Sequence, residues 1–294
     1  MTNRTHQTTL GEGIHVECVD EKWPKSHLIE KLTEIRDMGY VPSKRSTSNV
    51  GAVGNTLEEL LGVKENNLPI ANLGGRWELK AQVISKNQKS YLTFLHNEPY
   101  PREANIVSEI LLPKYGWPSK SHANEMSFRG TLSGNRYTNR GFKIDVNRIE
   151  ERVYIDFNCD EVKKSKKEYE WLAEVERRAG LGQITPQPHW TFATMKEVLA
   201  KCQNLVYVVA SKKKIGSDDY FHYYDANIFH SLVFDKFIEG LENGIILADF
   251  DARTTHNHGT KLRIDHKGRG DKAAIVVNNC ATFYQSVERN VLSD

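Results

Sequence analysis

The chain has 294 residues, 39% of them hydrophobic and 27% charged, and its 40 lysines and arginines nearly cancel 38 acids for a formal net charge of +2. A mean hydropathy of −0.56 and 10% aromatic residues describe a globular chain rather than a disordered one, and no apolar run approaches the ~20 residues of a membrane span. The four cysteines, at 18, 159, 202 and 280, form no Cys-x-x-Cys pair, which argues against a zinc site or disulfide framework, and the polar start Met1–His6 lacks a signal-peptide core, so the expected compartment is the cytosol.

At roughly 150 residues per domain the length admits one large unit or two modest ones. With no repeat or low-complexity linker, a single unit with lobes is expected, preceded by an extension over residues 1–24. Leu28, Ile29, Leu32, Ile35 and Met38 recur at helical spacing between Ser26 and Gly39, which predicts an amphipathic helix. A polar loop over 43–54 leads to a short helix at 55–62, capped by Asn55 or Thr56 and ended by Gly62. From Trp77 to Ile84, apolar Trp77, Leu79, Ala81 and Val83 alternate with Glu78, Lys80 and Gln82. Period two puts the acid and the amine on one face of a strand. Residues 152–157, 205–210 and 245–251 read as further strands and 226–243 as a helix, giving an α/β (α+β) core.

Basic residues crowd the segment from Phe128 to Arg148, where Arg129, Arg136, Arg140, Lys143 and Arg148 face one acid, Asp145. The interleaved Ser, Asn, Thr and Gly suit contacts to phosphates and base edges. The lysine runs at 163–167 and 212–214 are best explained as solvated loops.

The informative pair is Glu78 and Lys80. On one strand face a carboxylate can hold a divalent cation while the ammonium sits beside an attacking water and a phosphate, the arrangement of phosphodiester hydrolysis. Alone the spacing is weak, because Asp20/Lys22, Glu161/Lys163 and Asp265/Lys267 share it and a surface pair explains each. Context strengthens it: Gly74-Gly75 precede the strand, the opposite face is apolar, and an acid-bearing helix comes before. Glu58 on that helix has two readings, closing a capping box with Asn55 or assisting a metal–water network.

Three groups of residues then combine. Gly54-Asn55-Thr56-Leu57-Glu58-Glu59-Leu60-Leu61, Glu65-Asn66-Asn67-Leu68 and Glu78-Leu79-Lys80, followed by the blocks 133–139, 142–145 and 255–260 with Arg263-Ile264, together resemble the MvaI/BcnI restriction endonucleases, in the MutH-like branch of the PD-(D/E)XK nucleases. The resemblance runs from about Lys25 to Ile264. It implies a Mg²⁺-dependent type II endonuclease with a mixed sheet flanked by helices, a catalytic lobe at about 25–120 and a DNA-recognition lobe at about 121–265. The implied catalytic set is Glu58, Asn72, Glu78 and Lys80, with Asn72, Glu78 and the Leu79 carbonyl holding the metal. Asn135, Arg136, Arg253, His256, His258 and Arg263 would contact double-stranded DNA. A monomer that nicks one strand at a time, a CCNGG-type site and a cognate DNA methyltransferase acting on the same site are implied as well.

Asn72 departs from the family pattern, which has an aspartate there. A carboxamide offers an oxygen but no charge, so a hard cation binds more weakly. A natural variant that tolerates Asn and a substitution made to trap a DNA complex remain open, while the absence of any acid between Glu65 and Glu78 leaves little room for an offset in the match. Histidines 256 and 258 match neither an HNH nuclease unit nor a complete zinc site. Two other functions stay in view: a DNA-binding protein that has lost catalysis, supported by Asn72, and a mismatch-repair nickase, against which the blocks at 133 and 255 argue.

Overall fold

The computed structural model describes residues 23–44, 51–63, 70–84, 91–264 and 271–293, the side chains of 256–259 excepted. Most of the expected extension, 1–24, and the block at Glu65 therefore lie outside the described residues. In chain order the elements are α1 (Lys25–Asp37), β1 (Val41–Pro42), α2 (Ala52–Leu60), β2 (Glu78–Val83), β3 (Leu92–His96), α3 (Leu112–Tyr115), β4 (Trp117–Pro118), β5 (Met126–Leu132), β6 (Arg140–Asn147) and β7 (Arg152–Val162). There follow α4 (Lys166–Ala179), β8 (His189–Thr191), α5 (Phe192–Leu199), β9 (Asn204–Ile215), β10 (Asp218–Leu232), α6 (Phe234–Glu242), β11 (Ile246–Arg253), β12 (His256–Ile264), α7 (Lys272–Ala281) and β13 (Tyr284–Glu288).

Three sheets result. The first has the order β1-β10-β9-β2, with β13 also on β10; β2 and β9 run parallel and the other pairs antiparallel. The second is the antiparallel array β3-β12-β11-β5-β4, and the third is β6-β7-β8. Mixed strand directions and flanking helices give the expected α/β architecture.

The first sheet is buried on both sides. Leu205, Tyr207 and Val209 of β9 enter the larger apolar core, while Val206, Val208 and Ala210 enter a second core with Leu28, Leu32 and Ile35 of α1 and Leu57 of α2. A strand covered on both faces needs apolar residues at every position, which is why 205–210 is unbroken. Each such side chain contributes about 1.5–3 kcal/mol by leaving water. Leu79 and Val83 of β2, with Trp77 just before it, lie in the second core. Its polar face is not solvated, however: Glu78 is 3% and Gln82 4% exposed, and Gln82 accepts a hydrogen bond from the buried Tyr207 hydroxyl at 2.5 Å. The strands beside β2 come from residues 204–288, so the sheet under the Glu78–Lys80 pair is drawn from both ends of the chain.

Three segments differ from the sequence expectation. Residues 226–232 are the end of β10, and only 234–242 form a helix. Ala226, Phe229, Val233, Phe237 and Leu241 fall at helical spacing, but Ala226 and Ile228 serve one core and Phe229 and Leu232 the other. A strand buried on both faces imitates helical periodicity. The helix expected at 55–62 starts at Ala52 with Gly51 at its N-cap and no side-chain cap. Asn55 thus lies inside the helix, its amide bonded to the Gly51 carbonyl at 3.0 Å, and no capping box with Glu58 forms. The lysines at 212–214 lie on β9 rather than in a loop, where the two-residue turn at Gly216, with φ of 62°, folds β9 back onto β10.

Candidate active site

The site is organised by one tight reversal. The Arg76 amide donates to the Leu73 carbonyl at 3.2 Å, and the two residues between, Gly74 and Gly75, have φ of 61° and 69°, the signature of a type I′ turn. A Cβ on Gly74 would also approach the Trp23 ring to 2.8 Å. Leu73 and Trp77 pair across the turn, and this lays Asn72 back along the start of β2.

The Asn72 carboxamide then bridges two elements. Its Oδ1 accepts the Leu79 backbone N–H at 2.7 Å, and its Nδ2 donates to Glu58 Oε1 at 2.7 Å. Asn72 therefore ties the α2 carboxylate of Glu58 to β2. The second part is the pair Glu78–Lys80, in which Lys80 Nζ donates to Glu78 Oε1 at 2.7 Å. Burial alone would pull the Lys80 ammonium down, but the charge and hydrogen bond of Glu78, with a further contribution from Glu58, hold it above the ordinary lysine value. The floor is apolar, with Cys202 fully buried and its thiol pushed up to about 12 by burial, so the sulfur stays protonated and unreactive at neutral pH.

One neighbour has no signal in the sequence. Lys201, in the turn of Ala200–Cys202 between α5 and β9, places Nζ 3.5 Å from the same Glu78 Oε1. It arrives there because β9 pairs in parallel with β2, Leu205 opposite Glu78.

The donor set suits a hard divalent ion in a limited way. Glu58 and Glu78 are carboxylates and Asn72 and the Leu79 carbonyl are neutral oxygens, which fits Mg²⁺, an ion commonly held by one or two carboxylates with substrate phosphates and water completing its shell. Among the described residues no group of three His, Cys, Asp or Glu gathers here or elsewhere, so an all-protein metal cage is not what this site offers.

The residues expected to contact DNA fall into two groups. Arg263 lies opposite Leu247 and Arg253 opposite His256, so Arg253 and His256 sit about 20 Å along the hairpin from Arg263. The His256 and His258 side chains lie outside the described set. The Arg253 guanidinium lies 2.9 and 3.0 Å from the two His122 ring nitrogens, and donates to whichever of them is unprotonated. Arg263 is already engaged, ion-paired with Asp249 and stacked 3.6 Å over the Tyr91 ring. Asn135 accepts from the Ser133 hydroxyl and donates to the Asn243 carbonyl, each at 2.7 Å, bracing the turn before β11. Arg136 beside it is exposed and has no hydrogen bond or ion pair with any described residue. The other basic residues of that stretch are held by the fold: Arg129 by Asp251 at 2.6 Å, Arg148 by both oxygens of Glu242 at 2.8 and 2.7 Å, and Arg140 over the Trp117 ring at 4.0 Å.

A family model described as the MvaI/BcnI restriction endonuclease family matches residues 29–269. Among solved structures, one described as a restriction endonuclease MvaI–cognate DNA substrate complex superimposes with a TM-score of 0.65 at 23% identity, covering 90% of this chain and 97% of that one. A second, described as restriction endonuclease MvaI in the absence of DNA, gives a TM-score of 0.46 at 22% identity, with 90% and 96% covered. No curated protein matches the chain.

Proposed function

The chain belongs to the MvaI/BcnI restriction endonuclease family, and from that premise we propose that it is a type II restriction endonuclease that hydrolyses double-stranded DNA at a short G·C-rich, CCNGG-like site with Mg²⁺. The observation that carries the reading is the joined network of Glu58, Asn72 and the Leu79 amide beside the buried Glu78–Lys80 pair. Glu78 and Glu58 are the residues that would hold the ion, with Asn72 and the Leu79 carbonyl as neutral donors. A bound Mg²⁺ supplies Lewis-acid polarisation of the scissile phosphate.

The protein's own groups do the rest. Lys80 is held as an ammonium at neutral pH, so it orients the attacking water and a phosphate oxygen by donating hydrogen bonds rather than removing the proton. Asn72 keeps Glu58 in register with β2. Arg136, exposed and without a partner among the described residues, is one reading residue, and Arg253, His256 and His258 share the tip of the β11–β12 hairpin. A monomer that nicks one strand at a time, and a methyltransferase that protects the same sequence without binding the nuclease, complete the proposal.

Incubation with plasmid DNA and Mg²⁺, with the fragment ends sequenced, tests it: discrete ends at one short sequence are expected. Neutral Asn72 favours one rival, a DNA-binding protein without catalysis, which would bind one sequence and leave no ends. The Arg136→Ala variant is expected to weaken binding of the mapped duplex by about 1–3 kcal/mol, the range for loss of a bidentate arginine–guanine contact. Its Tm should not change, since Arg136 supports no described residue. A calorimetric melt beside a fluorescence titration checks both; unchanged binding would remove Arg136 from the reading surface.

A further inference from the structure

The charge around Glu78 differs from what two carboxylates and one lysine would give. Lys80 and Lys201 both direct their ammonium groups to a single oxygen of Glu78, at 2.7 and 3.5 Å, although that carboxylate is almost fully buried. With Asn72 neutral, the charges of Glu58 and Glu78 are matched by those of the two lysines. One lysine suffices to pair Glu78, and the nearer one, Lys80, does so with the better geometry. Lys201 keeps 28% of its side chain in solvent and has three N–H donors against one shared acceptor. It stands on a short turn at the head of a buried strand, which fixes its backbone.

We propose that Lys201 is a second catalytic lysine, which rests on Glu78 in the free protein and donates to the scissile phosphate when DNA is bound. The inference rests on the nuclease reading above. A phosphodiester brought against Glu58 and Glu78 is repelled by both, and a second ammonium relieves that repulsion where an aspartate at position 72 would have added to it. Its fixed charge also makes the site less dependent on the divalent ion for neutralising the phosphate.

The test compares the parent protein with Lys201→Met, which keeps the length of the stem, and with Lys201→Arg, which keeps the charge. Two quantities are measured on a duplex carrying the site mapped from plasmid digestion: the single-turnover cleavage rate in Mg²⁺, and the salt dependence of binding in Ca²⁺. Lys201→Met is expected to slow cleavage by about 10²-fold and to flatten the slope of log affinity against log salt by about one. Lys201→Arg should retain the slope. A merely structural lysine would lower the Tm and leave the slope alone, and that result overturns the proposal, as does a cleavage rate within twofold of the parent. If the parent itself neither cuts nor binds a specific sequence, the nuclease reading fails and takes Lys201 with it, an outcome distinct from failure of the variant alone.

Discussion

Glu78→Gln is expected to lower the single-turnover cleavage rate by about 10³-fold or more, the scale on which removal of a transition-state charge partner acts, while specific binding in Ca²⁺ persists. The amide has the shape of the carboxylate but cannot compensate two ammonium groups. Breaking a fully buried ion pair costs about 3–5 kcal/mol; Lys80 keeps a quarter of its side chain in solvent, so about 2 kcal/mol is the expected loss of folding stability once screening is allowed for. The pH dependence separates this cause from general damage. In the parent, the folded-state value of Lys80 is raised above 10.5, so its contribution is complete below pH 10.5 and is lost only as the pH rises through the folded value. In Glu78→Gln, burial acts unopposed by that carboxylate and lowers the lysine, so the variant should recover stability as the pH rises from neutral towards 10. Denaturant midpoints across that range decide it, and a deficit that does not change with pH would detach Lys80 from Glu78 energetically.

Asn72→Asp should change the protein in the opposite sense. The aspartate can still accept from the Leu79 amide, but it replaces the N–H that Asn72 donates to Glu58 at 2.7 Å with an oxygen. Two carboxylates at that distance do not both ionise readily; they share one proton, so the pair's value rises. A raised carboxyl stabilises the fold below the unfolded value and loses that contribution as the pH climbs through the folded one. The metal-free variant should therefore be less stable than the parent by about 1–3 kcal/mol at pH 7–8, the cost of a buried acceptor without its donor, and closer to it near pH 5. Adding Mg²⁺ should reverse the order, with half-saturation of cleavage at about tenfold less Mg²⁺ than in the parent, because a carboxylate replaces a carboxamide in the ion's shell. Melting curves over pH and MgCl₂ measure the first effect and cleavage titrations the second. Cleavage by the aspartate form alone would mean that Asn72 silences an intact scaffold; equal metal requirements would mean that the cation does not touch this side chain.

Glu78 and Lys80 could be read from the sequence because a six-residue strand carries its own period and puts both on one face. The apolar run of β9 was legible for the complementary reason, having no solvent face at all. Where local pattern served two masters it misled: 226–232 buries alternate residues in different cores and so resembles a helix. The start of α2 was hidden because Gly51 provides no side-chain cap, and the segment before it looked like loop. The resemblance implies Glu58 and Asn72, but their direct hydrogen bond depends on the turn at Gly74-Gly75. Lys201 had no local signature, since a lysine after a helix is commonplace; only pairing between strands more than a hundred residues apart brings it to Glu78. Nor could composition tell the exposed Arg136 from Arg148, whose partner Glu242 lies on the distant α6, or from Arg263, which pairs with Asp249 across the β11–β12 hairpin.

That long-range pairing has a consequence for synthesis of the protein. Every residue of the Glu58–Asn72–Glu78–Lys80 network emerges early, yet β2 has no neighbour to hold it straight until β9 follows from position 204, and β9 is itself covered only when β10 folds back. A nascent chain halted before that hairpin carries the acids and Lys80 without the geometry that aligns them, so translation is well past its midpoint before the Glu58–Asn72–Glu78–Lys80 network can form.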